Sequence, residues 1–210
     1  MSVESPSYEI VRASDGVELR RYAPYVRAHV SVKATEYNEA TNKGFGALAD
    51  YIFGNNRAAG SIAMTAPVTS ERDTSARIAM TVPVTSERER AELMGEAPPL
   101  CTVRCPGVYV VSFTMPSQFA SVEDLPTPNN PDVTLEPVPS HLEVVVSFGG
   151  RLSDETFARH LAVAREWIAA QGLIEAGEPV AAQFDAPWKP GFARHNEVQV
   201  PVRDAGEVQD

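Results

Sequence analysis

Val133-Thr134-Leu135-Glu136, a break at Pro137 and Pro139, and then His141-Leu142-Glu143-Val144-Val145-Val146-Ser147-Phe148 decide the fold, because the chain carries the same pattern earlier. Val17-Glu18-Leu19-Arg20-Arg21-Tyr22, a break at Ala23-Pro24, and Tyr25-Val26-Arg27-Ala28-His29-Val30-Ser31-Val32 precede it at a constant offset of 116 residues. Alternation of apolar and polar residues in these segments is the mark of half-buried strands. After each pair the period lengthens. Tyr37, Ala40, Thr41, Gly44, Phe45, Leu48, Tyr51 and Ile52 recur at three- and four-residue steps, as do Phe157, Leu161, Ala164 and Ile168. Both runs predict amphipathic helices. Thr35 and Ser153 are the expected N-caps, and Gly54 and Gly172 the C-terminal stops.

Each helix is followed by two more extended segments. Ile62-Ala63-Met64-Thr65-Ala66-Pro67-Val68-Thr69-Ser70-Glu71-Arg72 returns sixteen residues later as Ile78 to Arg88, with Val82 in place of Ala66. The polar residues between the copies suit a hairpin turn. In the second half, Ala182 to Trp188 parallels Ala63 to Val68 around its Ala-Pro. Asn196 to Val202 parallels Ile78 to Val84 around its Val-Pro-Val. Each half therefore reads strand, strand, helix, strand, strand, a unit of about 100 residues copied once. The expected architecture is α+β: a mainly antiparallel sheet, curled or closed, carrying two helices, with a pseudo-twofold relating the halves.

The remaining segments fit around this frame. Tyr8 to Arg12 is a further short strand, turned by Asp15-Gly16. Val108 to Thr114 is a strand, and Met115 to Pro131 is a proline-rich surface loop. One domain is expected over residues 8–202, with halves of about 8–114 and 115–202. A flexible residue 1–7 segment precedes it and a disordered acidic tail, 203–210, follows.

Bulk properties exclude several classes of partner. The chain has 210 residues, 43% apolar and 22% charged, with a net charge of −10. Neither nucleic acid nor an anionic membrane is expected as a partner, since both need a basic footprint. The first residues lack a basic and an apolar region of a secretory signal, and no apolar run approaches a membrane span, so the expected location is cytoplasmic. Cys101 and Cys105 would then be reduced. Their spacing along one strand is about 13 Å, too far for a disulfide. Cys105-Pro106 can offer a thiolate to iron, and an ordinary packed cysteine explains it as well.

No catalytic motif stands out. His29, His141, His160 and His195 belong to no metal-binding signature, and there is no nucleophile elbow, P-loop or dinucleotide fingerprint. A binding reading remains. Phe45, Leu48, Ala49 and Ile52 form an apolar helix face, with Met64 and Met80 on a matching strand face as groove or core lining. Gly44 and Gly46 flank Phe45. They leave room for a flat ligand, or for close packing of helix on sheet. Pro187-Trp188-Lys189-Pro190-Gly191-Phe192-Ala193-Arg194 offers two aromatic rings and two cations. That set suits a planar, apolar dianion, and equally a loop anchored by Trp188 with solvated cations.

Ala40 to Asn56 with Met64 to Ser70, Phe113 to Phe119, and Trp188-Lys189-Pro190 through Arg194-His195-Asn196-Glu197-Val198 are three stretches that together resemble the SOUL family of haem-binding proteins. The resemblance runs from about Tyr8 to Val202. It implies duplicated β-α-β-β units forming a distorted eight-stranded antiparallel β-barrel flanked by two α-helices. It implies non-covalent binding of haem or another tetrapyrrole in an apolar groove, with Asn42, Phe45, Leu48 and Ala49 against the porphyrin and Lys189 near a propionate. It also implies buffering, transport or sensing as the role. A ligand-responsive effector module and an enzyme acting on a tetrapyrrole or another hydrophobic small molecule are the alternatives. The chain departs from the family pattern at Arg21, where some members carry a histidine proposed as an iron ligand. It departs again at Asn42 and Asp50, which replace basic residues, and at Ala49, which replaces Met. His29 and Cys105 are the fallback metal ligands.

Overall fold

A computed structural model describes residues 4–35, 37–58, 62, 68–72, 107–185 and 190–204. Strand β1 (Tyr8–Ser14) turns into β2 (Val17–Tyr22) through Asp15 and Gly16 at φ 53° and 79°. These positive angles at both central residues belong to the tight hairpin turn that the Asp-Gly pair predicts. β3 (Tyr25–Ala34) leads to helix α1 (Tyr37–Ile52), then β4 (Val68–Arg72) and β5 (Gly107–Thr114). The second half runs β6 (Val133–Val138), β7 (His141–Gly149), helix α2 (Asp154–Gln171), β8 (Leu173–Glu175), β9 (Val180–Gln183) and β10 (His195–Asp204). β10 continues two residues past Val202 because Arg203 and Asp204 pair with Ile174 and Leu173 of β8.

All ten strands lie in one sheet, ordered β1-β2-β7-β10-β9-β4-β5-β3-β6, with β8 added beside β10. Every ladder among the described residues is antiparallel. The expected closed eight-stranded barrel does not form. Closure would need β2 to pair with β6, and β1 already occupies that edge of β2 through the Asp15-Gly16 hairpin. β6 is the opposite edge, which is where Pro137 can sit inside a strand, since a missing N–H costs nothing on an unpaired side. Exchanging β2, β3, β4 and β5 with β6, β7, β9 and β10 reverses the order of those eight strands without otherwise altering it. The first half's last strand is β5, Gly107–Thr114. The repeated segment Ile78 to Arg88, expected to fill that place, lies outside the described residues.

One face of the sheet is apolar and carries both helices. Val26, Ala28, Val30, Val111 and Phe113 meet Leu48, Tyr51 and Ile52 of α1. Val17, Leu19, Val144, Val146, Val198 and Val200 meet Phe157, Leu161, Ala164, Trp167 and Ile168 of α2. A buried side chain of this size contributes about 1.5–3 kcal/mol, so these two clusters dominate the stability of the fold. α2 starts and stops as expected. The Ser153 hydroxyl accepts from the Thr156 N–H at 3.2 Å, and Gly172 takes the left-handed C-cap at φ 70°. On α1, Glu39 reaches back to accept from the Thr35 N–H at 3.3 Å.

The proline-rich loop is pinned to the C-terminal end of α1. The Tyr51 hydroxyl donates to the Pro126 carbonyl at 2.9 Å, and Leu125 is buried in the α1 cluster. Burial pushes the Tyr51 phenol up to about 12, so it stays a donor at any physiological pH. The N-terminal segment is also tied down. Ser117 donates its N–H to Glu4 at 2.9 Å, and Ala23 donates to the Ser7 carbonyl at 3.0 Å.

Candidate functional site

α1 shows two faces, and only one is available to a ligand. Leu48 and Ile52 are fully buried in the core, where they back the helix and do not meet solvent. Gly44 faces the sheet. A Cβ there would stand 2.6 Å from Val111 Cβ, so this glycine exists for close packing of helix on sheet. Gly46 faces the other way, and a Cβ added to it would meet nothing within 4 Å. Gly44 thus bears out the reading of close helix-on-sheet packing, and Gly46 leaves open space on the outer face of the helix.

Around Gly46 the outer stripe of α1 is Asn42, Phe45, Ala49 and, one turn beyond, Phe53. Phe45 is half-buried, packed edge-on against Phe113 with ring centroids 5.3 Å apart. Phe53 is 67% exposed. Sequence reading missed Phe53, although its position eight residues after Phe45 places it on the same stripe. Asn42 and Asp50 are exposed beside it.

The other expected residues fall elsewhere. Met64, Met80, Cys105, Trp188 and Lys189 lie outside the described residues. Arg194 is half-buried, and its carbonyl accepts from the Gly150 N–H at 3.0 Å, which ties it to the end of β7 in the half that carries α2. Phe192, in the same loop, is 88% exposed. His29 lies on β3 with the parity opposite to Val26, Ala28 and Val30, so it sits on the wrong face to ligate a metal held against α1. Its Nδ1 is 3.4 Å from Glu136 Oε2 and makes no hydrogen bond. Burial first, then Arg27, lowers its pKa against the opposing pull of Glu136. Among the described residues no group of three or more His, Cys, Asp and Glu is placed to hold a metal ion.

The face of the sheet away from the helices holds the second concentration of chemistry. A cavity of about 170 Å³ there is lined by Tyr8, Arg20, Tyr22, Tyr25, Thr69, Thr114, Glu143, Phe184, His195, Glu197 and Gln199, with Ser5 and Pro6 at one side. Arg20 is only 5% exposed and Glu197 only 3%. The guanidinium donates to both oxygens of Glu197 at 3.0 and 3.1 Å and to Glu18 at 2.7 Å. It also lies 4.3 Å from the Tyr8 ring centroid, a cation–π contact. Glu197 further accepts from Gln199 at 2.9 Å and Ser147 at 3.2 Å. Burial works against the charge on Arg20, but Tyr22, Glu197 and Glu18 outweigh it and raise its pKa. Glu143 stands opposite Arg20 in the β2–β7 ladder, yet its ion pair is with His141, at 3.3 Å. Burial opposes protonation of His141, and Glu143 overrides it, so the imidazole pKa lies above its ordinary value.

The sequence carried a signal for this network. His141-x-Glu143, His195-x-Glu197-x-Gln199 and Glu18-x-Arg20-x-Tyr22 alternate with core valines and leucines at a period of two. Polar residues at that spacing read as a solvated face, and only the curl of the sheet turns it into an interior.

These features define an α+β protein built on one open antiparallel sheet, with two helices on one face and a charged cavity on the other. Residues 3–201 match the family model SOUL heme-binding protein, and the chain belongs to that family. No curated protein matches it. Among solved structures, the C-terminal domain of EcmrR superposes with a TM-score of 0.58 at 10% identity, covering 94% of this chain and 99% of that one. EcmrR in its complex with DNA gives 0.57 at 11% identity, over 90% of this chain and 57% of that one. A hydrolase from Listeria innocua gives 0.56 at 9% identity, over 92% and 94%. At these identities the likeness is one of fold. No helix among the described residues is long and apolar enough to cross a membrane.

Proposed function

We propose that this protein binds haem or a related tetrapyrrole non-covalently on the outer stripe of α1. Family membership supports the ligand class. The observation that carries the site is the stripe itself. A solvent-facing helix surface is ordinarily polar, and this one presents Phe45, Ala49 and a largely exposed Phe53 around a glycine with open space above it. A flat apolar ring system needs such a surface, and Gly46 allows it to approach the helix backbone. Asn42, Phe45, Ala49 and Phe53 hold the ring in this reading, Leu48 and Ile52 fix the helix behind it, and Lys189 answers a propionate, as the family pattern implies. The bound group would supply light absorption and, with iron, redox chemistry.

We read the same domain as a gene-level duplication of one strand-strand-helix-strand-strand unit. The symmetric strand order and the 116-residue offset support this.

Titrating hemin while following the Soret band tests the site. Saturable one-to-one binding is expected, weakened by Phe45→Asp, Phe53→Asp and Lys189→Glu. A Soret change that never saturates, or one untouched by all three substitutions, overturns the reading.

A further inference from the structure

We propose that the cavity on the face away from the helices is a second, independent site, which takes a small organic cation: a protonated amine on a compact aromatic or aliphatic body. Size, wall chemistry and charge each point there. A cavity of about 150 Å³ accepts a ring the size of benzene, so the 170 Å³ here admits one ring with a short arm. Tyr8, Tyr22, Tyr25 and Phe184 form its walls, and aromatic faces attract cations and repel anions.

The charge balance selects the sign of the ligand. The lining holds one guanidinium, Arg20, and two carboxyl groups, Glu143 and Glu197, with Glu18 bonded to Arg20 from behind. Arg20 is committed to Glu197 and Glu18 by contacts of 2.7 to 3.1 Å. Glu197 is further saturated by Gln199 and Ser147. Glu143 is different. It is buried, it lines the cavity, and the cation beside it is a histidine whose charge comes and goes with pH. An ammonium group entering the cavity replaces the proton on His141 as the partner of Glu143. An anion has no such place, because the one permanent cation is already paired.

The same geometry couples binding to pH. The charged and titratable groups around Glu143 and His141 are Glu18, Arg20 and Tyr22 on β2, Tyr8 on β1, Tyr25 and Arg27 on β3, the last paired with Glu136 on β6, and His195 and Glu197 on β10. His141 changes charge near neutrality in direct contact with Glu143, so proton and ligand compete. Affinity for the cation rises as pH increases through the His141 titration.

Benzylamine, benzyl alcohol and benzoate are the probes, with calorimetry and thermal unfolding as readouts. Benzylamine should bind one-to-one and raise the unfolding midpoint. The neutral alcohol should bind at least about tenfold more weakly, the cost of one charge-assisted contact, and benzoate not at all. Glu143→Gln keeps shape and hydrogen bonding and should erase the preference for amine over alcohol. Its hemin titration should match that of the wild type, because the stripe on α1 lies on the opposite face of the sheet. The proposal is overturned if benzylamine does not bind at millimolar concentration, if the three probes bind alike, or if Glu143→Gln retains the preference. A folded Glu143→Gln, verified by its unfolding curve, makes each outcome decisive.

Discussion

Gly44 and Gly46, two residues apart on one helix, should respond to the same substitution with opposite signs. Alanine in place of glycine inside a helix gains about 1 kcal/mol from backbone entropy and helix propensity. At Gly46 nothing lies within 4 Å of the new methyl, so Gly46→Ala should keep the full gain. At Gly44 the methyl would stand 2.6 Å from both Cβ and Cγ2 of Val111 and 3.1 Å from Cγ1. Carbon atoms at van der Waals contact sit about 3.5–4.0 Å apart, so the overlap is about 1 Å. Rotating Val111 moves its methyl groups but not its Cβ, which is fixed to the backbone of β5. Helix and sheet must therefore separate, and with an overlap this large the cost falls in the upper part of the range for overpacking, about 2–3 kcal/mol. The net result for Gly44→Ala is a loss of about 1–2 kcal/mol after the propensity gain is subtracted. The two variants should differ by about 2–3 kcal/mol, or about 4–12 °C in unfolding midpoint for a chain of this length. Urea denaturation at constant m-value measures the difference. A Gly44→Ala protein as stable as the wild type, or a Gly46→Ala protein less stable than Gly44→Ala, would refute the assignment of one glycine to packing and the other to open space.

Four further outcomes are expected. Gly46→Leu should leave stability intact and weaken hemin binding several-fold, read from the Soret titration, because the side chain fills the space over the stripe. Glu197→Ala should cost about 3–5 kcal/mol in urea denaturation by leaving Arg20 buried without its main partner, while the double replacement Arg20→Met with Glu197→Leu should recover much of that loss. Leu161→Ala should cost about 2–5 kcal/mol, since Leu161 is buried between α2 and the sheet. Imidazole NMR should find His141 titrating above its ordinary value of 6.5 and His29 below it. The raised His141 adds stability below pH 6.5 that fades as pH rises through its folded pKa. The lowered His29 acts oppositely, and its penalty appears as pH falls below 6.5. His141→Asn should therefore remove a loss of stability on the alkaline side, and the reverse order of the two midpoints would contradict the geometry.

Much of the fold was legible because local rules and tertiary needs agree. The Asp15-Gly16 turn, the Ser153 cap and Gly172 stop of α2, and the alternation in β2, β3, β6 and β7 each follow from neighbouring residues. Barrel closure was not legible, since it depends on which edge of β2 is free, and nothing within β2 says that β1 will take it. Pro137 looked like a break because a proline interrupts a central strand, and only the position of β6 at the sheet's edge makes it harmless. The α1 site was legible in part. Periodicity marks Phe45, Leu48 and Ile52 as apolar but does not tell which side of an apolar helix the sheet will cover. The cavity was legible only as scattered polar residues, because its members come from seven strands and meet through curvature.

The alternation of side chains also explains why one sheet can carry an apolar face and a charged one. Side chains alternate along every strand, so neighbouring residues belong to different environments. On β10, Val198 and Val200 pack against α2 while Glu197 and Gln199 enter the charged cavity. On β3, Val26 and Ala28 pack against α1 while Tyr25 lines the cavity. The apolar face accepts only apolar side chains and is strict about their volume. The polar face is tolerant of volume and strict about pairing, since a buried charge survives only with its partners. A substitution's effect is therefore set by its parity before its type. Val198→Ala and Gln199→Ala, adjacent in sequence, should differ in kind. The first leaves a hole and lowers stability. The second frees a hydrogen-bonding position on Glu197, leaves the helices undisturbed, and alters what the cavity will bind.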